Sequence, residues 1–130
     1  MIDARFERDI YEALAALRRR GIEGSHVIVE NVGSGKFVQF GVGPILSMDV
    51  PCVSLTADES ERATAFFREL GGVDLREYDA PNLGTGKVQH GATFRFDFGD
   101  DAASAARAAI LYFARVTSVP INSVFSITER

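Results

Sequence analysis

Two glycine–lysine fragments, one cysteine and two histidines are the residues of this chain whose types suggest chemistry. Gly33-Ser34-Gly35-Lys36 and Gly84-Thr85-Gly86-Lys87 each carry the Gly-Lys pair of a phosphate-binding loop. Such a loop also needs a glycine five residues before the second glycine and a Ser or Thr after the lysine. Glu30 and Phe37 hold those places in the first fragment, Pro81 and Val88 in the second, so both read as turns. Cys52 with His26 or His90 offers the parts of a nucleophile and its base. No signature joins them, and Cys52 lies beside Val50 and Val53 in an apolar run, where a small buried side chain is expected. Asp97, Asp100 and Asp101 form the densest carboxylate group, which helix capping and dipole complementarity explain without a cation. No two potential metal ligands occur at a recognised spacing. Phe94, Phe96 and Phe98 alternate as base-stacking aromatics do in RNA-binding sheets, but the motif of those sheets is missing, and core packing is the expectation. These residues imply no catalytic site, no cofactor and no metal, hence no enzyme.

Composition narrows the classes further. The chain has 130 residues, 46% hydrophobic and 25% charged, which suits one globular domain over 1–130 and argues against disorder. A net charge of −4 argues against a sequence-independent grip on nucleic acid. One cysteine makes no internal disulfide. No apolar run approaches the ~20 residues of a membrane span, and Asp3, Arg5 and Glu7 stand where a signal peptide needs apolar residues. A soluble, cytoplasmic protein with no membrane and no nucleic acid among its partners is expected.

The elements that must position these residues follow from periodicity. Residues 3–20 read as an amphipathic helix, with Asp3 as N-cap, Phe6, Ile10, Ala13, Leu14 and Leu17 on one face, and Gly21 as its stop. Arg18, Arg19 and Arg20 either complement the helix C-terminal dipole or form a patch for phosphate or an acidic partner. Residues 26–32 and 36–42 read as strands joined by a turn at Asn31 and Gly33-Ser34-Gly35, and 45–50 as a third strand that 52–55 extends. Pro51 marks a bulge or edge position within it.

Asp58-Glu59-Ser60-Glu61 reads as an acidic capping box, with Asp58 at the cap, opening a helix that carries Ala63, Phe66, Phe67 and Leu70 and ends at Gly71-Gly72. A polar strand over 73–78, a mobile loop over 79–89 and a strand over 92–98 follow. Asp100 or Asp101 caps an alanine-rich helix from Ala102 to about Val116, which carries Ala106, Ala109, Ile110, Phe113 and Ala114 and which Pro120 stops. Val124, Phe125 and Ile127 form a short final strand or dock on the rest. The order α-β-β-β-α-β-β-α implies an α+β, two-layer domain whose antiparallel sheet carries its helices mainly on one face.

Apolar residues fall on both faces of the three-strand meander. Phe37 opposes Val38, Phe40 and Val42, and Val27 and Val29 oppose Ile28 and Val32. In a two-layer domain the uncovered face should be polar. The surplus marks either a dimer contact or client surface at Val38, Phe40 and Val42, or irregular packing across bulges.

Element order and three short motifs resemble the type III secretion chaperone-like fold, shared by class I secretion chaperones and the YbjN/TY-Chap domains. The motifs are Phe37-Val38-Gln39-Phe40, Glu69-Leu70-Gly71-Gly72, and Phe94 to Phe98 running into the helix that ends Tyr112-Phe113-Ala114-Arg115-Val116 before Val119-Pro120. Where TY-Chap domains often have Trp after the Leu-Gly pair, this chain has Gly72. The resemblance covers residues 4–120. It implies a small acidic homodimer without enzymatic activity that holds an extended segment of a client protein against apolar patches on helix and sheet. The alternative is a small acidic immunity or antitoxin-like inhibitor, with Glu59, Glu61, Asp74, Glu77 and Asp79 on its binding face.

Overall fold

The computed structural model describes residues 4–22, 24–71, 74–81, 88–119 and 123–129, and of 4, 74–81 and 88–91 the backbone alone. Helix α1 (Ala4–Arg20) is followed by strands β1 (His26–Asn31), β2 (Phe37–Val42) and β3 (Leu46–Pro51), then helix α2 (Ala57–Leu70). Strands β4 (Asp74–Pro81) and β5 (Val88–Gly99), helix α3 (Ala102–Arg115) and strand β6 (Phe125–Glu129) complete the order. The strands form one six-stranded sheet, β4-β5-β3-β2-β1-β6, in which every neighbouring pair is antiparallel. The fold is therefore α+β, with helices packed on the sheet, and the final segment is a strand.

Period-two burial fixes which face meets the helices. Val27, Val29, Val38, Phe40, Leu46, Met48 and Val50 are fully buried, as are Ile10, Leu14 and Leu17 of α1 and Phe67 of α2. All belong to one apolar cluster with Tyr112 and Phe113 of α3. Helix α3 touches both other helices and β5, while α1 lies over β1, β2 and β6 and α2 against β5. The apolar stripes of three helices and one sheet face thus close on each other.

Val38, Phe40 and Val42, expected at a partner surface, lie in this core at 0%, 0% and 5% exposure. The face that the helices leave open carries Glu30, Gln39, Asp49, Arg95 and Asp97, with Ile28 and Phe37 half-buried among them. The meander's apolar residues are thus mostly the ordinary core side of its alternation.

Several boundaries differ from expectation for local reasons. The cap of α2 is Thr56, not Asp58. Thr56 Oγ1 accepts the Glu59 N–H at 3.2 Å, and Glu59 Oε1 accepts the Thr56 N–H at 2.9 Å. The box sits two residues upstream, where Thr56 and Glu59 have the Thr/Glu spacing of a reciprocal cap, and Lys36 also holds its carboxylate. Pro51 ends β3, and Cys52–Ser54 form a 3₁₀ turn where an extension of the strand was expected. The bulge lies instead at Leu46/Ser47.

The loop expected over 79–89 is partly ladder, since Asp79 pairs with His90, Ala80 with Gln89 and Pro81 with Val88. Pro81 is tolerated there because β4 is an edge strand. Residues 82–87, with the second Gly-Lys fragment, lie outside the described residues, as do Asp3 and Pro120. Asp101 rather than Asp100 caps α3, its side chain accepting the Ser104 N–H at 3.0 Å.

Candidate functional site

A cavity with an apolar lining arises because one helix stops short. On β5, Phe94, Phe96 and Phe98 alternate onto the helix side. Phe67 of α2 stacks on Phe94 with ring centroids 5.3 Å apart, but α2 ends at Leu70 and the chain turns away at Gly71. Phe96 and Phe98, in edge contact at 4.9 Å, continue past that end, with Leu70 at their α2 side and the near side of α3 opposite. There α3 presents Ala103, Ala108 and Leu111, and the alanines are too short to fill the space. A groove of about 620 Å³ is left between α2, β5 and α3.

Its rim is charged, and each charge already has a partner. Asp97 accepts from Arg95 Nε at 3.1 Å, and Arg107 reaches Glu7 of α1 at 3.3 Å. Hydrogen bonds from the Ser104 hydroxyl and N–H hold the Asp101 carboxyl below its usual range. Such a site accepts apolar surface and orients it weakly through its rim; it positions no nucleophile or proton carrier at its floor.

The residues singled out for chemistry whose side chains are described do not converge. Lys36 of the first Gly-Lys fragment points into the protein, donating from Nζ to the Ser54 carbonyl at 2.6 Å and to Glu59 Oε1 at 2.8 Å. Asn31 Oδ1 accepts the Ser34 N–H at 3.0 Å and its hydroxyl at 2.6 Å, and Gly35 takes φ +74°, so the fragment is a hairpin turn. Cys52 is half-buried, and burial pushes its thiol up, away from the thiolate that a nucleophile needs. His26 lies against Gly41, whose β3 partner is Ser47, at the opposite end of β3 from Cys52. His90 is placed in β5 by its backbone alone. Among the described residues, no three His, Cys, Asp or Glu side chains gather to hold a metal ion.

The acidic set expected of an inhibitor loses a member, because Glu59 is buried and paired. Glu61 is exposed, and the side chains of Asp74, Glu77 and Asp79 lie outside the described residues. Within the arginine triplet, Arg18 pairs with Asp100 and Arg20 with Glu129, so two of the three guanidiniums tie α1 to other elements.

The groove itself was not expected from sequence. Two signals mark it in retrospect: the Gly71-Gly72 stop, which cuts α2 short of Phe96, and the run of alanines from Ala102 to Ala109. Among the described residues, no helix is long and apolar enough to cross a membrane. Compared with family models, curated proteins and solved structures, the chain matches none.

Proposed function

We propose that this chain is a noncatalytic, chaperone-like protein-binding module that takes an extended apolar segment of a client protein into the groove between β5 and α3. The observation that carries the reading is the groove, whose floor is Leu70, Phe96, Phe98 and Leu111 while its rim charges are held by internal partners. An apolar segment entering it desolvates aromatic surface at little cost in unpaired polar groups. The element order, similar to that of secretion chaperones, supports the same reading, and the module works in the cytoplasm. The module acts as a homodimer and without a cofactor.

The test is a selection of binding peptides from a random library on the purified protein, followed by calorimetry at several temperatures. Apolar peptides should bind with a negative heat-capacity change, and Leu111→Lys should abolish binding while leaving the melting temperature close to that of the parent. Selection of acidic or basic peptides that bind Leu111→Lys equally well would overturn the reading.

A further inference from the structure

The two edges of the sheet are unequally defended. Edge strands invite pairing with other chains unless charges, prolines or bulges blunt them. Strand β4, at one edge, carries Asp74, Arg76, Glu77, Asp79 and Pro81. Strand β6, at the other, reads Phe-Ser-Ile-Thr-Glu, and its register with β1 runs without interruption from Phe125 to Glu129. Its single charge, Glu129, is held by Arg20 at 3.1 Å. Beside the start of β6, Val124 and Val32 are exposed at 68% and 56%, among the five exposed large apolar side chains of the described residues.

The hydrogen-bond phase of this edge follows from one bond. Val32 N–H donates to the Val124 carbonyl at 2.9 Å, so 32 and 124 form a hydrogen-bonded pair. Antiparallel ladders alternate. Ser126 opposite Glu30 and Thr128 opposite Ile28 therefore turn their backbone groups toward β1. Phe125, Ile127 and Glu129 turn theirs outward, to a side where no strand lies among the described residues.

These outward positions are self-complementary. We propose that two copies of this chain join β6 to β6, antiparallel, about a two-fold axis through Ile127, an assignment that rests on the homodimer reading and adds where its interface lies. Ile127 then meets Ile127 of the second copy, and Phe125 meets the partner's Glu129, all at hydrogen-bonding positions. Ser126 faces the partner's Thr128 between them. No like charges are opposed. Ile127 packs against the core, so the pair extends the apolar layer from one copy into the next.

Light scattering of the full chain at micromolar concentration reports the oligomer, and cross-linking reports the edge. A hydrogen-bonded antiparallel pair places its Cα atoms about 5.5 Å apart, within reach of a disulfide. In a Cys52→Ala background, Ile127→Cys should oxidise to a covalent dimer, whereas Glu61→Cys on the outer face of α2 should not. Ile127→Pro, which removes the outward N–H at the axis, should give a monomer. A dimer that Ile127→Cys fails to cross-link, or one that Glu61→Cys cross-links equally, would overturn the β6 assignment and leave the homodimer standing. A monomer at all concentrations would overturn both.

Discussion

Lys36, in the turn between β1 and β2, donates to Glu59 at 2.8 Å and thereby ties the meander to the first turn of α2. The pair is sheltered, with side-chain exposures of 23% and 9%. Burial pushes the Glu59 carboxyl up, but hydrogen bonds from Lys36 and the Thr56 N–H, with the lysine charge, outweigh it and hold the group below its usual value. Lys36→Met leaves the carboxylate buried without its cation and should cost on the order of 2 kcal/mol in urea unfolding. A depressed folded-state value contributes stability that is complete above the unfolded value near 4.5 and is lost as pH falls through the folded one. Below pH 4.5, stability should therefore fall less steeply in Glu59→Gln than in the parent. Equal slopes would show that Glu59 titrates alike in both states.

The ring of Tyr112 is fully buried, and its hydroxyl has no hydrogen-bond partner among the described residues. Burial, with the nearby Glu59 carboxylate and Cys52, pushes the phenol well above its usual range, so it stays neutral. The ring packs edge-on against Phe66 and Phe113, at 5.9 and 5.7 Å, and the hydroxyl adds a desolvation cost without a bond. Tyr112→Phe keeps the ring and removes that cost. It should be neutral or stabilise by up to about 1 kcal/mol, read from the urea midpoint. A loss of stability would mean that the hydroxyl is satisfied in solution.

Elements with agreeing local signals were legible in the sequence, and contacts across elements were not. Alpha1 was readable because Ile10, Leu14 and Leu17 recur at helical spacing and Gly21, at φ +60°, stops the run. The alternation on β2 was equally clear, yet alternation does not say which face the helices take. Val38, Phe40 and Val42 were accordingly expected at a surface and lie in the core. Asp58 is as good a cap as Thr56 by residue type, but Thr56 and Glu59 are the Thr/Glu form of the capping box, and Lys36, twenty-three residues before Glu59, adds a contact to the same carboxylate. Nothing in the sequence around Tyr112 marks it as buried; its burial comes from the core cluster it shares with Phe66 of α2. The groove depends on where α2 stops relative to Phe96, a register between two elements that the glycine stop and the alanines of α3 mark only once both are placed against β5.

Cys52 is half-buried in the 3₁₀ turn that follows β3, and burial holds its thiol protonated. Alkylation proceeds through the thiolate. Iodoacetamide at neutral pH should therefore modify the folded protein more slowly than the urea-unfolded chain. Cys52→Ala removes one small side chain packed against the core and should cost about 1 kcal/mol. Faster reaction in the folded state would mark an activated thiol and reopen catalysis at this position.

Gly71 closes α2 at φ +149°, a region that L side chains rarely adopt, and it does so against the groove floor. A Cβ built there would lie 3.3 Å from Phe96 Cε2 and 3.6 Å from its Cζ. Gly71→Ala thus combines backbone strain with pressure on an aromatic ring that lines the candidate site. The strain should cost on the order of 1–2 kcal/mol. Displacement of Phe96 would also reshape the groove, so binding of the selected apolar peptide should weaken beyond the loss explained by unfolding. Comparing the peptide affinity with that of an equally destabilised core variant, Val29→Ala, separates the two effects. If both variants bind the peptide as the parent does, Phe96 is not part of the contact and the groove is not where the segment lies.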